Sequence, residues 1–166
     1  MIAIVMGVTG SGKTTVANAL VALTGWHFAE GDDFHSEANK KKMHAGIPLN
    51  DEDREPWLES LHQVLLGWHQ KGESGVMTCS ALKQSYRDTL SAGLPQGSYH
   101  FVLLEAPVAV LEEHLANRKG HYMNPGLLQS QLDTLEEPKD AIRVNATHTP
   151  EELAREILSR IEAAKH

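Results

Sequence analysis

The octapeptide GVTGSGKT, Gly7 to Thr14, restricts this chain more than any other feature. It matches G-x-x-x-x-G-K-[ST] in full, and its surroundings give the match weight. Ile2 to Met6 is a short apolar run of the kind that forms a buried strand. Thr14 to about Thr24 carries Val16, Ala19, Leu20 and Leu23 at helical spacing. A glycine loop that leaves a strand and opens a helix is a phosphate cradle. Gly7, Gly10 and Gly12 permit backbone conformations and close approach that a Cβ would obstruct. The freed N–H groups and the helix N-terminus then point at a β-phosphate. Lys13 reaches the β and γ oxygens as a point charge, and Thr14 offers its hydroxyl to Mg²⁺. The residues expected to hold ATP or GTP are Gly7, Val8, Thr9, Gly10, Ser11, Gly12, Lys13, Thr14 and Thr15.

Beyond the loop, short apolar runs alternate with amphipathic segments, the pattern of a parallel α/β sheet. Strands are expected at His27 to Glu30, Gly75 to Cys79, His100 to Glu105 and Ala141 to Val144, five in all with the first. NDEDREPWLESLHQVLLGWHQKG contains a long helix capped by Asn50 or Asp51. Its buried stripe is Trp57, Leu61, Val64, Leu65 and Trp68, which reads both tryptophans as core. ALKQSYRDTLSAG forms a helix closed by glycine, and Pro107 opens the next one. Thr149, Pro150 and Glu152 are N-cap, N1 and N3 of the last helix, with Leu153, Ile157 and Ile161 inward. RKGHYMNPG interrupts the pattern as a mobile loop would.

A chain of 166 residues with no linker or repeat is expected to be one domain, 1–166. Its net charge of -7 disfavours nucleic acid or an anionic membrane as partner. Cations that meet an anionic ligand must therefore be gathered locally. The single cysteine, Cys79, excludes an internal disulfide and argues against a cysteine zinc site. No stretch approaches the roughly 18 to 20 apolar residues of a membrane span. The N-terminus has no basic region before its apolar run, so the expected compartment is the cytoplasm. Motor and switch NTPases couple hydrolysis to a moving partner and usually carry more chain. Phosphoryl transfer to a small acceptor is the preferred reading.

Four further stretches hold polar groups that apolar periodicity does not explain: GDDFH, PLNDEDREPWL, CSALKQSYRD and RKGHYM. With GVTGSGKT, KKM-x-x-GIPLNDEDR and LL-x-SQ-x-x-TLEEP, they give the chain a resemblance to the gluconate kinase family over essentially its whole length. The resemblance implies a P-loop kinase of the nucleoside-monophosphate-kinase-like plan. That plan is a three-layer α/β sandwich with a five-stranded parallel sheet and a lid at about 119–126. It implies ATP- and Mg²⁺-dependent phosphorylation of D-gluconate at the 6-hydroxyl, and a homodimer. The alternatives are another small-molecule kinase of this plan, acting on shikimate or a nucleoside, and a regulatory NTPase that transfers nothing.

Asp32 follows the second strand, at the sheet edge where open α/β folds bind ligands. A carboxylate there accepts the proton of an attacking hydroxyl, or merely makes a turn. Asp33 is the weaker of the pair. His35 is a candidate for hydrogen bonds to acceptor hydroxyls. Arg54 and Arg87 are candidates for a substrate carboxylate, because guanidinium binds it with two parallel bonds. Lys83 lies four residues before Arg87, which on a shared helix would turn both to one site. The plain alternative for all three is ion pairing on helix surfaces. The resemblance gives Arg118 a place across the ATP phosphates and puts His121 at the substrate. It marks Gln131 and Glu136 without a derivable role. No acid ends the third strand, so the carboxylate that helps hold Mg²⁺ is left open among Glu30, Asp32 and Glu105.

Overall fold

The computed structural model describes residues 1–116 and 125–164. Most of the expected lid segment, with Arg118 and His121, lies outside the described residues.

Strand β1 (Ile2–Met6) is buried at all five positions and alternates its side chains between two cores. It is the middle strand. Strands β2 (His27–Glu30), β3 (Gly75–Thr78), β4 (Tyr99–Glu105) and β5 (Ile142–Asn145) complete a five-stranded sheet. The order is β2-β3-β1-β4-β5, and every pairing is parallel. Ile2 faces Gly75 on one side and Tyr99 on the other, so the carboxyl ends of β1, β2 and β3 finish at one edge. Ligands bind at that edge in open α/β sheets.

Helices cover both faces. Ala3 and Val5 meet Val16, Ala17 and Leu20 of α1 (Lys13–Thr24) and Leu153, Ile157 and Ile161 of α7 (Pro150–Ala163). Ile2, Ile4 and Met6 meet Trp57, Leu58, Leu61 and Leu65 of α3 (Asp51–Gln70). Burying each of the larger aliphatic side chains among them contributes about 1.5–3 kcal/mol, so the two stripes hold the layers together. The register of the α1 stripe differs from expectation. Ala17 is buried, whereas Leu23 is 48% exposed.

Local chemistry explains the helix ends. Asn50 Oδ1 accepts the Asp53 N–H, and Asp53 answers by accepting the Asn50 N–H, a reciprocal cap at the start of α3. Thr149 accepts the Glu152 N–H and Pro150 takes the first turn of α7, as the sequence predicts. Helix α2 (Glu37–His44) is capped by Ser36. Helices α5 (Val108–Ala116) and α6 (Pro125–Thr134) flank the undescribed segment.

Helix α4 (Gln84–Ser91) starts later than expected, and this changes the reading of two cations. Lys83 is its N-cap, so Lys83 and Arg87 are not partners on one helical face. Arg87 is 2% exposed and points inward. Its Nη1 donates to Ala81 O at 2.7 Å, and its Nη2 donates to Glu136 O at 2.8 Å and Gln84 Oε1 at 3.1 Å. Ala81 has φ 45°, a left-handed conformation that costs a non-glycine residue about 1–3 kcal/mol. Arg87 clamps this strained turn and ties it to the segment after α6. The expected role of Arg87 at a substrate carboxylate is thus corrected, since its donors are spent on backbone oxygens and on Gln84 Oε1.

Arg87→Ala is expected to lower unfolding free energy by about 2–4 kcal/mol, because several buried carbonyls lose their donor at once. Urea denaturation measures it. A variant of unchanged stability with only a raised acceptor KM would return Arg87 to the substrate.

Candidate active site

The phosphate loop, Gly7 to Lys13, joins the end of β1 to the start of α1. Gly12 caps α1 with φ 90°, a conformation that a side chain would strain. Ser11 Oγ donates to Val8 O at 2.8 Å, which stiffens the turn from within. Lys13 Nζ donates to Gly7 O at 3.0 Å and Val8 O at 3.2 Å, so the ammonium is folded over the loop it serves. His114 of α5 braces the loop from outside, through Nδ1 and Gly10 O at 2.7 Å.

Thr14, in the first turn of α1, donates Oγ1–H to Glu30 Oε2 at 2.6 Å. The other oxygen of Glu30 accepts Thr78 Oγ1–H at 2.6 Å, and Thr78 Oγ1 accepts the Gly31 N–H at 3.1 Å. A carboxylate at the end of β2 is therefore held against the loop threonine. A hydroxyl beside a carboxylate, both facing a cavity, is a hard oxygen donor set that fits Mg²⁺ with water and phosphate filling the remaining positions. Glu105 turns aside to Arg143, with 3.4 Å between Nη1 and Oε2, and does not line this cavity. Of the three carboxylates left open by the sequence, Glu30 is the one in contact with Thr14.

Residues Gly31–Phe34 form a 3₁₀ turn directly after β2. Gly31 has no room for a side chain, because a Cβ would sit 2.1 Å from Thr78 O. Asp32 and Asp33 line the cavity and are exposed to it. His35 is 7% exposed, and its ring stacks on Trp57 with centroids 4.1 Å apart and planes 15° from parallel. Trp57 Nε1 donates to Gly31 O at 2.7 Å. Trp57 is core, as its spacing predicts, and it is also the plate against which the turn at residues 31–35 rests. Burial, then the positive charges of Arg54 and Lys40, push the His35 pKa from 6.5 down to about 4.

These groups open on one cavity of about 610 Å³, lined by Lys13, Thr14, Glu30, Asp32, His35 and Arg54 among others. Arg54 also borders a smaller side cavity of about 250 Å³ with Lys83 and Asp51. Its Nη1 donates to Tyr86 Oη at 3.0 Å, the single side-chain hydrogen bond of Arg54 within the described residues. Guanidinium donors remain for a ligand. Lys83 is paired with Asp51 at 3.0 Å and lies over the Tyr86 ring, so it borders the side cavity and not the main one. Asp51, three residues before Arg54, takes Tyr86 and Lys83 as its partners.

The two residues without a derivable role now have contacts. Gln131 of α6 accepts the Thr9 N–H through Oε1 at 2.6 Å and lines both cavities. Glu136 accepts the Gln84 N–H at 2.8 Å, capping α4 in place of a local side chain. Asn39 and Thr78, buried polar residues, were not singled out by sequence reasoning. Their only sequence signal is a short polar side chain placed where neighbouring elements converge. Thr15 is exposed and does not line the cavity.

Between pH 6.5 and 4 an unfolded His35 binds a proton that the folded one refuses. Its contribution to stability is complete above about pH 6.5 and declines as the pH falls toward 4. Chemical denaturation across this range should show a shallower acid limb in His35→Gln than in the parent chain.

A family model described as "AAA domain" matches residues 2–138. The chain is 44% identical over 164 residues to the gluconokinase of Gluconobacter oxydans, covering 96% of this chain and 90% of that one. Among solved structures, a gluconokinase from Sinorhizobium meliloti superposes with a TM-score of 0.87 at 41% identity, covering 98% and 91% of the two chains. Shikimate kinase from Aquifex aeolicus superposes with a TM-score of 0.64 at 18% identity, covering 99% and 98%, which is a likeness of fold alone. A phosphate loop on the central strand, a carboxylate corner two strands away and full-length relatives above 40% identity converge on one assignment. The chain belongs to the gluconokinase family of P-loop kinases.

Proposed function

We propose that the protein transfers the γ-phosphoryl group of ATP to the 6-hydroxyl of D-gluconate, giving 6-phosphogluconate and ADP. The observation that carries this reading is the convergence of Lys13, Thr14, Asp32 and Arg54 on one cavity. Phosphoryl transfer needs a cation over the phosphates, a base at the acceptor hydroxyl and an anchor for the acceptor's anionic end.

The loop N–H groups and Lys13 bind the β- and γ-phosphates. Thr14 and Glu30 would hold Mg²⁺, the first directly and the second directly or through water. Bound there, Mg²⁺ would neutralise phosphate charge. Arg54 grips the gluconate carboxylate, and its charge offsets the protein's overall negative field. Asp32 orients the acceptor hydroxyl and takes its proton as the O–P bond forms and the bond to the β–γ bridging oxygen breaks. His35 donates to a hydroxyl of the acceptor. Arg118 and His121 keep the roles that the family resemblance gives them, on the phosphates and at the substrate. Lys83 is an outer contact, already paired with Asp51. An ATP-consuming kinase of a sugar acid works in the cytoplasm, and the same resemblance makes the working form a homodimer.

ADP release measured with ATP·Mg²⁺ over a panel of sugar acids, polyols, shikimate and nucleosides should respond to gluconate. A response to shikimate or a nucleoside alone, or acceptor-independent hydrolysis, would sink the proposal. Asp32→Ala is expected to cut turnover by roughly 10²–10⁴-fold while nucleotide affinity stays close to that of the parent. Glu30→Gln should raise the Mg²⁺ concentration for half-maximal rate about 10–100-fold, as changes beside a metal's ligands do. An unchanged Mg²⁺ titration would move the metal to another carboxylate.

A further inference from the structure

One buried polar residue at the acceptor corner has no part in the scheme above. Asn39, on α2, is 5% exposed. Its Nδ2 donates to Asp53 O at 2.8 Å, and the same nitrogen lies 3.3 Å from His35 Nδ1. The first contact fixes the amide orientation, since a backbone carbonyl can only accept and the atom facing it must be the nitrogen. Both amide protons are then assigned, one to Asp53 O and one to His35 Nδ1. An Nδ1 that accepts a hydrogen bond carries no proton. In a neutral imidazole the proton therefore sits on Nε2.

We infer that Asn39 is a positioning residue that locks His35 as the neutral Nε2–H tautomer, so that the corner presents an uncharged N–H donor to the acceptor. Trp57 sets the plane of the ring by stacking, and Asn39 sets which edge holds the proton. Nδ1 is occupied by the amide, which leaves Nε2 as the ring nitrogen for a ligand in the cavity that His35 lines. Burial and the two cations nearest the ring favour neutrality. Lys40 from α2 and Arg54 from α3 both oppose a second proton, while the exposed carboxylates of Asp32 and Asp33, across the open cavity, pull weakly the other way.

The lock has a consequence for specificity, which rests on the gluconate reading. Gluconate has a carboxylate at one end and a hydroxyl to be phosphorylated at the other. An imidazolium beside Asp32 would compete with Arg54 for the carboxylate and draw the substrate in backwards. A neutral donor serves a hydroxyl oxygen and exerts no such pull. The acceptor is thereby read as a directed molecule, anion toward Arg54 and hydroxyls toward His35.

Imidazole ¹⁵N correlation spectra of the labelled protein test the lock directly, with His35 assigned among the 10 histidines by its loss in His35→Gln. A bare Nδ1 and a protonated Nε2, unchanged between about pH 8 and 6, are expected. Asn39→Asp places an acceptor beside Nδ1. Its ring should take a second proton, titrate between about pH 6 and 8, and give the gluconate KM a pH dependence that the parent lacks. His35→Leu should raise the gluconate KM about tenfold with the ATP KM little changed, and His35→Gln, which keeps an N–H donor, should stay within about threefold of the parent. A proton on Nδ1, ordinary titration of the parent ring, or an Asn39→Asp ring in the parent's protonation state would overturn the inference. If Asn39→Asp does not fold, the parent spectrum and the two His35 variants still decide. The expected tautomer in a chain that ignores gluconate would keep the lock and refute the gluconate reading alone.

Discussion

The burial of β1 is the constraint on which the rest of the structure depends. Its five side chains are enclosed on both faces, so the strand can neither slide nor tilt without breaking two cores. The phosphate loop leaves this strand directly, and the loop's work is to aim several N–H groups at one anion. Aim of that kind needs a fixed base on one side and a helix on the other, which the packing of α1 against the same sheet supplies. The helix needs little surface help. It has no acidic residue in its first turn and no side-chain cap, so its positive end is left for phosphate.

Sheet order then sets the distance between the phosphate loop and the Asp32 corner. Strand β3 lies between β1 and β2, so the loop and the Asp32 corner are separated by two inter-strand spacings, roughly 10 Å. In the proposed function, that is room for the terminal phosphates and an acceptor hydroxyl between them. Neighbouring strands would crowd the substrates, and strands at opposite sheet edges would part them. Charge is apportioned on the same scale. The protein as a whole repels anions at net -7, yet Lys13, Lys40 and Arg54 line the cavity, while Lys83 and Lys42, outside it, are paired with Asp51 and Asp53. These partly exposed pairs contribute little to stability, and they neutralise two cations outside the cavity while those lining it stay turned toward it.

The parts of this arrangement that were legible in the sequence are those set by short-range rules. Strand β1, the loop, the Thr149 cap and the α7 stripe depend on residues within a turn or two of one another. The Arg87 expectation failed because an arginine's direction is decided by distant carbonyls. Ala81 O and Glu136 O are 55 residues apart in sequence and become neighbours only through the fold. The pairing of Lys83 with Arg87 failed for a smaller reason, the start of α4 at Gln84, which removes Lys83 from the helical face. Leu23 misled because α1 exposes its final turn. Gln131 could be marked by resemblance but not explained, since its partner Thr9 is 122 residues away.

The phosphate loop and the turn at residues 31–35 are joined by a run of hydrogen bonds and one ring stack. Thr14 bonds Glu30, Glu30 bonds Thr78, Thr78 bonds Gly31, and Trp57 bonds Gly31 from the opposite side of the turn. Trp57 stacks on His35, and Asn39 links His35 to Asp53 in the cap of α3. The run begins at the helix that receives phosphate and ends at the helix that carries Arg54. Each hydroxyl and amide in it is used in the role its chemistry allows, Thr78 as donor to a carboxylate and acceptor from an N–H. A network satisfied in this way resists partial rearrangement, because moving one member strands a buried partner. The turn at residues 31–35 is therefore set in place by the same atoms that hold Glu30 against Thr14. The placement of Glu30, Gly31 and His35 relative to the phosphate loop is thus fixed by the protein's own contacts.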